Sequence, residues 1–214
     1  MKIPLIYPKI PENTNKFVNQ CYAFEKLDGT NCHFVWTPED GFHLFGTRRT
    51  QFSFTKPGIK EFIQTHSELA NVPDVFNDKF RDKLNSIYSR ANVFNKTLIT
   101  KAIIYAEFYG PNSFAGAHDE LDQANDLQTL TIIDVSVNGK LVEPILLVAD
   151  YTEIYQLDVA PLVYSGKYTG QFTNDVRDGK YPVNEGVVVK SVAHNEVLMT
   201  KIKTKDYLKR LEKR

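Results

Sequence analysis

Cysteine is scarce: Cys21 and Cys32 are all the chain has. Two thiols cannot build a disulfide framework, and the histidines (His33, His43, His66, His118 and His194) are scattered singly, so no zinc-ligand spacing is present. The two thiols flank one short segment and are expected to be small buried residues in a reducing compartment. A hairpin at that segment would set them face to face. No apolar run reaches membrane length, and Met1-Lys2-Ile3-Pro4 begins with charge and proline, not a long apolar core. Those absences argue against a membrane partner and for a cytoplasmic setting. Net charge is also lacking, with Lys+Arg and Asp+Glu balanced at 26 each. The bulk charge therefore neither announces nor excludes a phosphate-rich partner. Ser165-Gly166-Lys167-Tyr168 lacks the upstream glycine and the Ser/Thr of a P-loop. Repeats, low-complexity tracts and linkers are missing too.

What is present is an ordinary globular composition, 42% hydrophobic and 12% aromatic over 214 residues, enough for one domain with a substantial core. Residues 21–27, 32–37 and 42–47 read as strands, separated by turn signals at Asp28-Gly29 and Asp40-Gly41. Pro57 is expected to open a helix running to about Ala70. A second helix is expected from Asp74 to about Asn92, with Phe76, Phe80, Leu84, Ile87 and Tyr88 on its buried face. Residues 98–109, 129–137 and 141–148 read as strands, and Asp150 with Glu153 reads as a helix start. A strand pair over 186–191 and 197–203 and a closing helix over 205–214 complete the pass. Strands and helices mix without regular alternation, which predicts an α+β fold with antiparallel sheets. Charge is unevenly distributed: in residues 201–214, Lys201, Lys203, Lys205, Lys209, Arg210, Lys213 and Arg214 face Asp206 and Glu212 alone. That is a local field able to attract phosphates.

Several polar residues stand where a strand should be apolar, or end one. Lys26 follows the apolar run Cys21-Tyr22-Ala23-Phe24, where neighbours can desolvate its amine and favour the neutral, nucleophilic form. Glu107 interrupts Ile104-Tyr105-Ala106-Glu107-Phe108-Tyr109. Glu185 and Lys190 bracket Gly186-Val187-Val188-Val189. Lys201 and Lys203 alternate with Ile202 and so share one sheet face. Arg48-Arg49-Thr50 closes the third strand. Singly each has an ordinary reading: Lys-x-Asp-Gly is a common hairpin turn, a glutamate after an apolar run is a solvated residue, and Lys-x-Lys is an exposed strand face.

Taken in order, the set resembles the covalent nucleotidyltransferase superfamily, and within it the ATP-dependent RNA ligases of the phage nick-sealing and RNA-editing type. Glu25-Lys26-Leu27-Asp28-Gly29-Thr30-Asn31 resembles motif I, Arg49-Thr50 the downstream arginine element, and Ala106-Glu107-Phe108-Tyr109-Gly110-Pro111 motif III. Ile132-Ile133-Asp134-Val135 stands at motif IIIa, Glu185-Gly186-Val187-Val188-Val189-Lys190 resembles motif IV, and Lys201-Ile202-Lys203 motif V. The stretch from Val159 to Lys167 also reads like this branch, so the likeness runs from about Cys21 to Tyr207.

The resemblance implies an ATP-grasp-like nucleotidyltransferase (adenylation) domain of antiparallel sheets flanked by helices, with a nucleotide pocket between the sheets. It implies one domain over residues 1–214 without a separate C-terminal or OB domain. It implies, too, that Lys26 takes AMP from ATP, that AMP passes to an RNA 5′-phosphate, and that a 3′-hydroxyl seals the strand. Lys201 and Lys203 would contact the α-phosphate and, with Lys190, repel a proton from Lys26. Glu25 would read the adenine, and Val188 and Ile133 would cover its two faces. Glu107 would hold the ribose or a metal-bound water, and Arg49 the ribose or an incoming phosphate. Asn31, with Arg48 and Arg49, would serve the nucleic acid. Glu185, with Glu107 as a second candidate, would meet Mg²⁺ or Mn²⁺. Ile133 departs from the pattern, since this branch offers an aromatic there. The expected partner is RNA bearing 5′-phosphate and 3′-hydroxyl ends, bound by a monomer, with the basic tail or a separate substrate-binding protein adding grip. A DNA ligase, a GTP-using capping-type enzyme and a non-catalytic nucleic-acid-binding relative remain the alternatives.

Overall fold

The computed structural model describes residues 6–12, 20–94, 98–111, 113 and 127–213. His118 and Arg214, named above, lie outside them. The chain forms two compact units, one of residues 1–8 and 29–141, the other of residues 9–28 and 142–214. Each is built on an antiparallel sheet with helices, the α+β class expected.

The first unit holds strands β2 (Thr30–Thr37), β3 (Gly41–Thr47), β4 (Gln51–Ser53), β5 (Ala102–Tyr109), β6 (Thr129–Val137) and β7 (Lys140–Leu141). They form a six-stranded sheet in the order β4-β3-β2-β5-β6-β7. Strand β4, absent from the sequence reading, follows the Arg48-Arg49-Thr50 turn. Helix α1 (Lys56–Thr65) begins with proline in its first turn, as expected, and a 3₁₀ turn at Ser67–Leu69 follows it. Helices α2 (Val72–Phe76) and α3 (Asp82–Phe94) are joined by a π turn at Asn77–Arg81. The spacing placed their apolar face well: Phe76, Phe80, Leu84 and Tyr88 are buried. Phe76 stacks on Phe34 of β2 at 3.7 Å, and Phe45 meets Phe54 and Phe62 at 4.7 and 4.8 Å. Lys79 in the π turn donates to Thr129 Oγ1 and the Leu130 carbonyl, at 2.7 and 2.8 Å, which fixes the start of β6.

The second unit holds β1 (Gln20–Glu25), β8 (Leu162–Lys167), β9 (Gly186–Ala193) and β10 (Glu196–Lys203), a four-stranded sheet in the order β10-β9-β1-β8. Helices α4 (Pro144–Leu146, continued as a π segment Leu147–Ile154), α5 (Gly170–Arg177) and α6 (Lys205–Glu212) accompany it. Thr169 and Thr204 cap α5 and α6, each accepting from the backbone N–H three residues on. One sheet face packs Cys21, Ala23, Val187, Val189 and Ile202 against Phe172 and Val176 of α5.

Three expectations are corrected. The run 141–148 is a strand only at Lys140–Leu141, and the helical segment begins at Pro144, so Asp150 lies inside it and does not start it. Proline fits a first helical turn, where no amide donor is needed, and a continuous apolar run carries no period to separate strand from helix. Asp28-Gly29 is not a hairpin turn: β1 and β2 belong to different sheets. Cys21 and Cys32 are therefore not a cross-strand pair. Both are free and buried, and burial pushes the Cys21 thiol up to about 11. Among the described residues no helix is long and apolar enough to cross a membrane.

Candidate active site

Lys26 directly follows β1. The Glu25 backbone N–H donates to the Pro161 carbonyl at 2.8 Å, and the Lys26 N–H to the Gly186 carbonyl at 2.9 Å, so the lysine is fixed between β8 and β9. Its Nζ lies 2.5 Å from Glu185 Oε2, while Lys203 Nζ lies 2.9 Å from Glu185 Oε1. One carboxylate, 2% exposed, thus bridges two lysines that keep 23% and 19% of their side-chain surface. Where the sequence reading set lysine against lysine, the structure interposes Glu185.

Cross-strand register assembles the rest of this group. Phe24, Val188 and Lys201 stand in one row across β1, β9 and β10, and Tyr22, Lys190 and Met199 in the next. Directly paired residues of antiparallel strands share a face, and alternation puts both rows opposite the α5 core. Val188, Lys190, Lys201 and Lys203 therefore occupy one sheet face, as Lys-x-Lys alternation predicted for the last two. Lys190 is buried with its ammonium 4.7 Å over the Phe24 ring. Lys201 pairs with Glu12 at 3.5 Å. Burial raises the Glu25 carboxyl above the usual range.

The other predicted residues fall in the first unit. Asn31, Glu107 and Thr131 are paired across β2, β5 and β6, and His33, Tyr105 and Asp134 across the same strands on the same face. Between these rows β6 carries one extra residue, Ile133, in a bulge, since Ile132 pairs with Ala106 and Asp134 with Tyr105. Neither amide atom of Asn31 has a hydrogen-bond partner although both are buried, and Arg48 Nε is in the same condition. A buried, unsatisfied polar group costs about 1–3 kcal/mol, so orphaned groups of this kind suit a ligand that completes them. Arg49 is exposed.

Sequence reasoning missed Tyr7, whose hydroxyl donates to Asp134 Oδ2 at 2.5 Å. Burial first, then the Asp134 charge, pushes the Tyr7 phenol up. The Arg48 guanidinium sits 5.6 Å over the Tyr7 ring, and the Ile6 N–H donates to the Arg48 carbonyl. Asp134 carried the same signal as Glu107, a carboxylate inside an apolar strand; Tyr7 carried none.

His33, fully buried on this polar face, has Nδ1 2.9 Å from the Thr47 carbonyl and Nε2 3.3 Å from the Gln51 side chain. Burial lowers it from 6.5 to about 4. Between those values the unfolded chain holds more protons than the folded one. Stability from His33 is therefore complete above pH 6.5, falls as pH drops toward 4 and is lost below it, by roughly 3 kcal/mol in all. Urea unfolding followed from pH 7 to 4 should show this decline, and His33→Asn should flatten it.

A family model described as RNA ligase matches residues 19–205. The chain belongs to the RNA ligase family. No curated protein sequence matches it. Among solved structures, this RNA ligase family chain is similar to a mutant of the Naegleria gruberi RNA ligase with ATP and Mn (TM-score 0.57, 15% identity, 92% of this chain and 52% of that one). It is also similar to an archaeal ATP-dependent RNA ligase (0.55, 16%, 96% and 50%) and to a candidate ATP-dependent DNA ligase from Aquifex aeolicus (0.59, 15%, 94% and 50%). The chain thus spans about half the length of these structures, and shares with them the mixed fold of nucleotidyltransferase-type ligases. Among the described residues of this family member, no group of three or more His, Cys, Asp or Glu could hold a metal ion.

Proposed function

We propose that this chain is the adenylating core of an ATP-dependent polynucleotide ligase that acts on RNA. The observation that carries the reading is the Lys26–Glu185–Lys203 bridge, set on a sheet where Lys190 and Lys201 share one face. The RNA ligase family match supports it, as do similar ligase structures, one of them with ATP and Mn.

In the first step the Lys26 Nζ lone pair forms a bond to the α-phosphorus of ATP and the bond to pyrophosphate breaks. The amine's proton has Glu185 Oε2 within hydrogen-bonding distance. A 5′-phosphate oxygen on the RNA then displaces Lys26 from the adenylate. Last, a 3′-hydroxyl attacks that 5′-phosphorus and AMP leaves. Phosphoryl transfers of this kind depend mainly on alignment and charge neutralisation, which Lys201 and Lys203 would supply. Glu25 and Val188 would hold the adenine, Glu107 the ribose, and Ile133 the far side of the base. Asn31, Arg48 and Arg49 would meet the nucleic acid, and the exposed Lys205, Lys209 and Lys213 would extend the positive surface. The donor set fits Mg²⁺ or Mn²⁺ that arrives with the phosphates, because such ions need only one or two carboxylates, here Glu185 and, as a second candidate, Glu107. When bound, the ion neutralises phosphate charge.

The test is intact-mass analysis after incubation with ATP or GTP and Mg²⁺ or Mn²⁺. An AMP adduct on Lys26 that can be chased onto 5′-phosphorylated nicked RNA is the expected result. No adduct with either nucleotide on the folded protein overturns the reading. A chase onto nicked DNA alone reassigns the substrate. Ile133→Phe should lower the half-saturating ATP concentration by about 2–10-fold in the same assay, since a ring adds about 0.5–1.5 kcal/mol of stacking.

A further inference from the structure

A closed circuit of contacts runs through the Lys26 loop. Lys26 Nζ meets the Glu185 carboxylate, and the Glu185 carbonyl accepts from the Thr204 N–H at 3.0 Å. Thr204 Oγ1 accepts from the Tyr207 N–H at 3.2 Å, and the Tyr207 hydroxyl donates to Asp28 Oδ1 at 3.1 Å. Asp28 lies two residues after Lys26, which returns the circuit to its start. The Tyr207 ring also lies under two cations, Lys203 Nζ at 4.8 Å and the Arg210 guanidinium at 5.5 Å. Tyr207 is buried at 6% exposure, on a helix whose neighbouring residues are exposed.

We propose that Tyr207 is a positioning residue: its hydroxyl fixes the Lys26 loop through Asp28, and its ring fixes the Lys203 ammonium on the other side of Glu185. Backbone bonds fix the main chain at Glu25 and Lys26, and the Tyr207 hydroxyl adds a restraint two residues on, at Asp28, where the loop leaves the sheet. A phenol is suited to the task because one end is a hydrogen-bond donor and its face attracts cations. The role rests on the reading of Lys26 as the nucleophile, and two separate measurements keep the two claims apart.

The first measurement needs no nucleotide. Lys26 in the purified chain is acylated with N-hydroxysuccinimidyl acetate and the rate is read by peptide mass mapping, with the exposed Lys167 as internal reference. Tyr207→Phe is expected to change the Lys26 rate at least about threefold with Lys167 unaltered, the response of an amine whose loop has lost one hydrogen bond to a charged group. An unchanged Lys26 rate overturns the positioning role whatever the chain's activity. The second measurement is single-turnover AMP transfer to Lys26. Tyr207→Phe should slow it roughly tenfold with half-saturating ATP within about twofold, while on an Asp28→Ala background the same change should cost less than about twofold. Equal losses on both backgrounds overturn the proposal. Should Tyr207→Phe fail to fold, Asp28→Ala severs the same bond from the loop side and must give the same Lys26 acylation change. An altered acylation rate in a chain that never forms an adduct would show that Tyr207 orders the Lys26 loop but would remove the ligase reading and, with it, the positioning role in attack.

Discussion

Lys26→Ala is expected to remove the nucleotide adduct altogether, a loss of at least about 10⁴-fold, because loss of a nucleophile leaves only what binding contributes. The fold should survive. Glu185 keeps Lys203 at 2.9 Å after the change, so its buried carboxylate is not left without a counter-ion. Stripping a buried charge of every partner costs about 3–5 kcal/mol; here one partner remains and Lys26 is 23% exposed, so about 1–2 kcal/mol is expected. Lys26→Arg sharpens the result. It keeps a cation against Glu185 but lacks a nucleophilic amine, and should be as inactive as the alanine variant with near-native stability. Intact mass and urea unfolding on the same samples check both halves. An adduct in either variant would place the nucleophile elsewhere.

Gly186→Ala should have the largest structural effect. Gly186 has φ +146°, a conformation open to glycine almost alone, and a Cβ there would lie 2.0 Å from the Ile202 carbonyl oxygen and 2.8 Å from Lys203 Cα. Both neighbours are backbone of β10, paired in register with β9, so relief requires the strands to part where Gly186 faces Lys203. Strain and lost pairing together should cost on the order of 4 kcal/mol or more, at the extreme for a single substitution. The same displacement would carry off Glu185 on one side and Lys203 on the other, so any molecules that stay folded at low temperature should still fail to form the adduct. A urea midpoint equal to that of the unmodified chain would contradict this account.

The contrast between these residues shows what sequence could reveal. The runs 129–137 and 197–203, read as strands, match the observed limits to within a residue, and alternation put Lys201 and Lys203 on one face. Helical spacing found the buried face of Phe76, Phe80, Leu84 and Tyr88. Turn chemistry was less informative, because Asp-Gly describes a local bend and says nothing of which sheet the next strand will join. Asp28-Gly29 bends the chain as expected and then delivers it to a different sheet. The apolar run before Asp150 had no period, and Pro144 was the deciding residue. At the site, charged residues breaking apolar strands were visible one by one. The Glu185 bridge, the Tyr7–Asp134 bond and the Tyr207 link were not, because each joins residues remote in sequence, 159, 127 and 179 positions apart.

That remoteness also fixes an order of assembly. The second unit is made of two pieces of chain, residues 9–28 and 142–214, whereas residues 29–141 of the first are continuous. During synthesis Lys26 emerges early, but β1 pairs with β8 and β9, which must wait for residues 162–193. The loop-closure cost of joining such distant segments falls on the step that brings Lys26, Glu185 and Lys203 together. Chains that stop before Glu185 contain the residues of the first unit and still lack the carboxylate that meets Lys26. The surroundings of Lys26 are thus completed only once the chain has grown past β9 and β10.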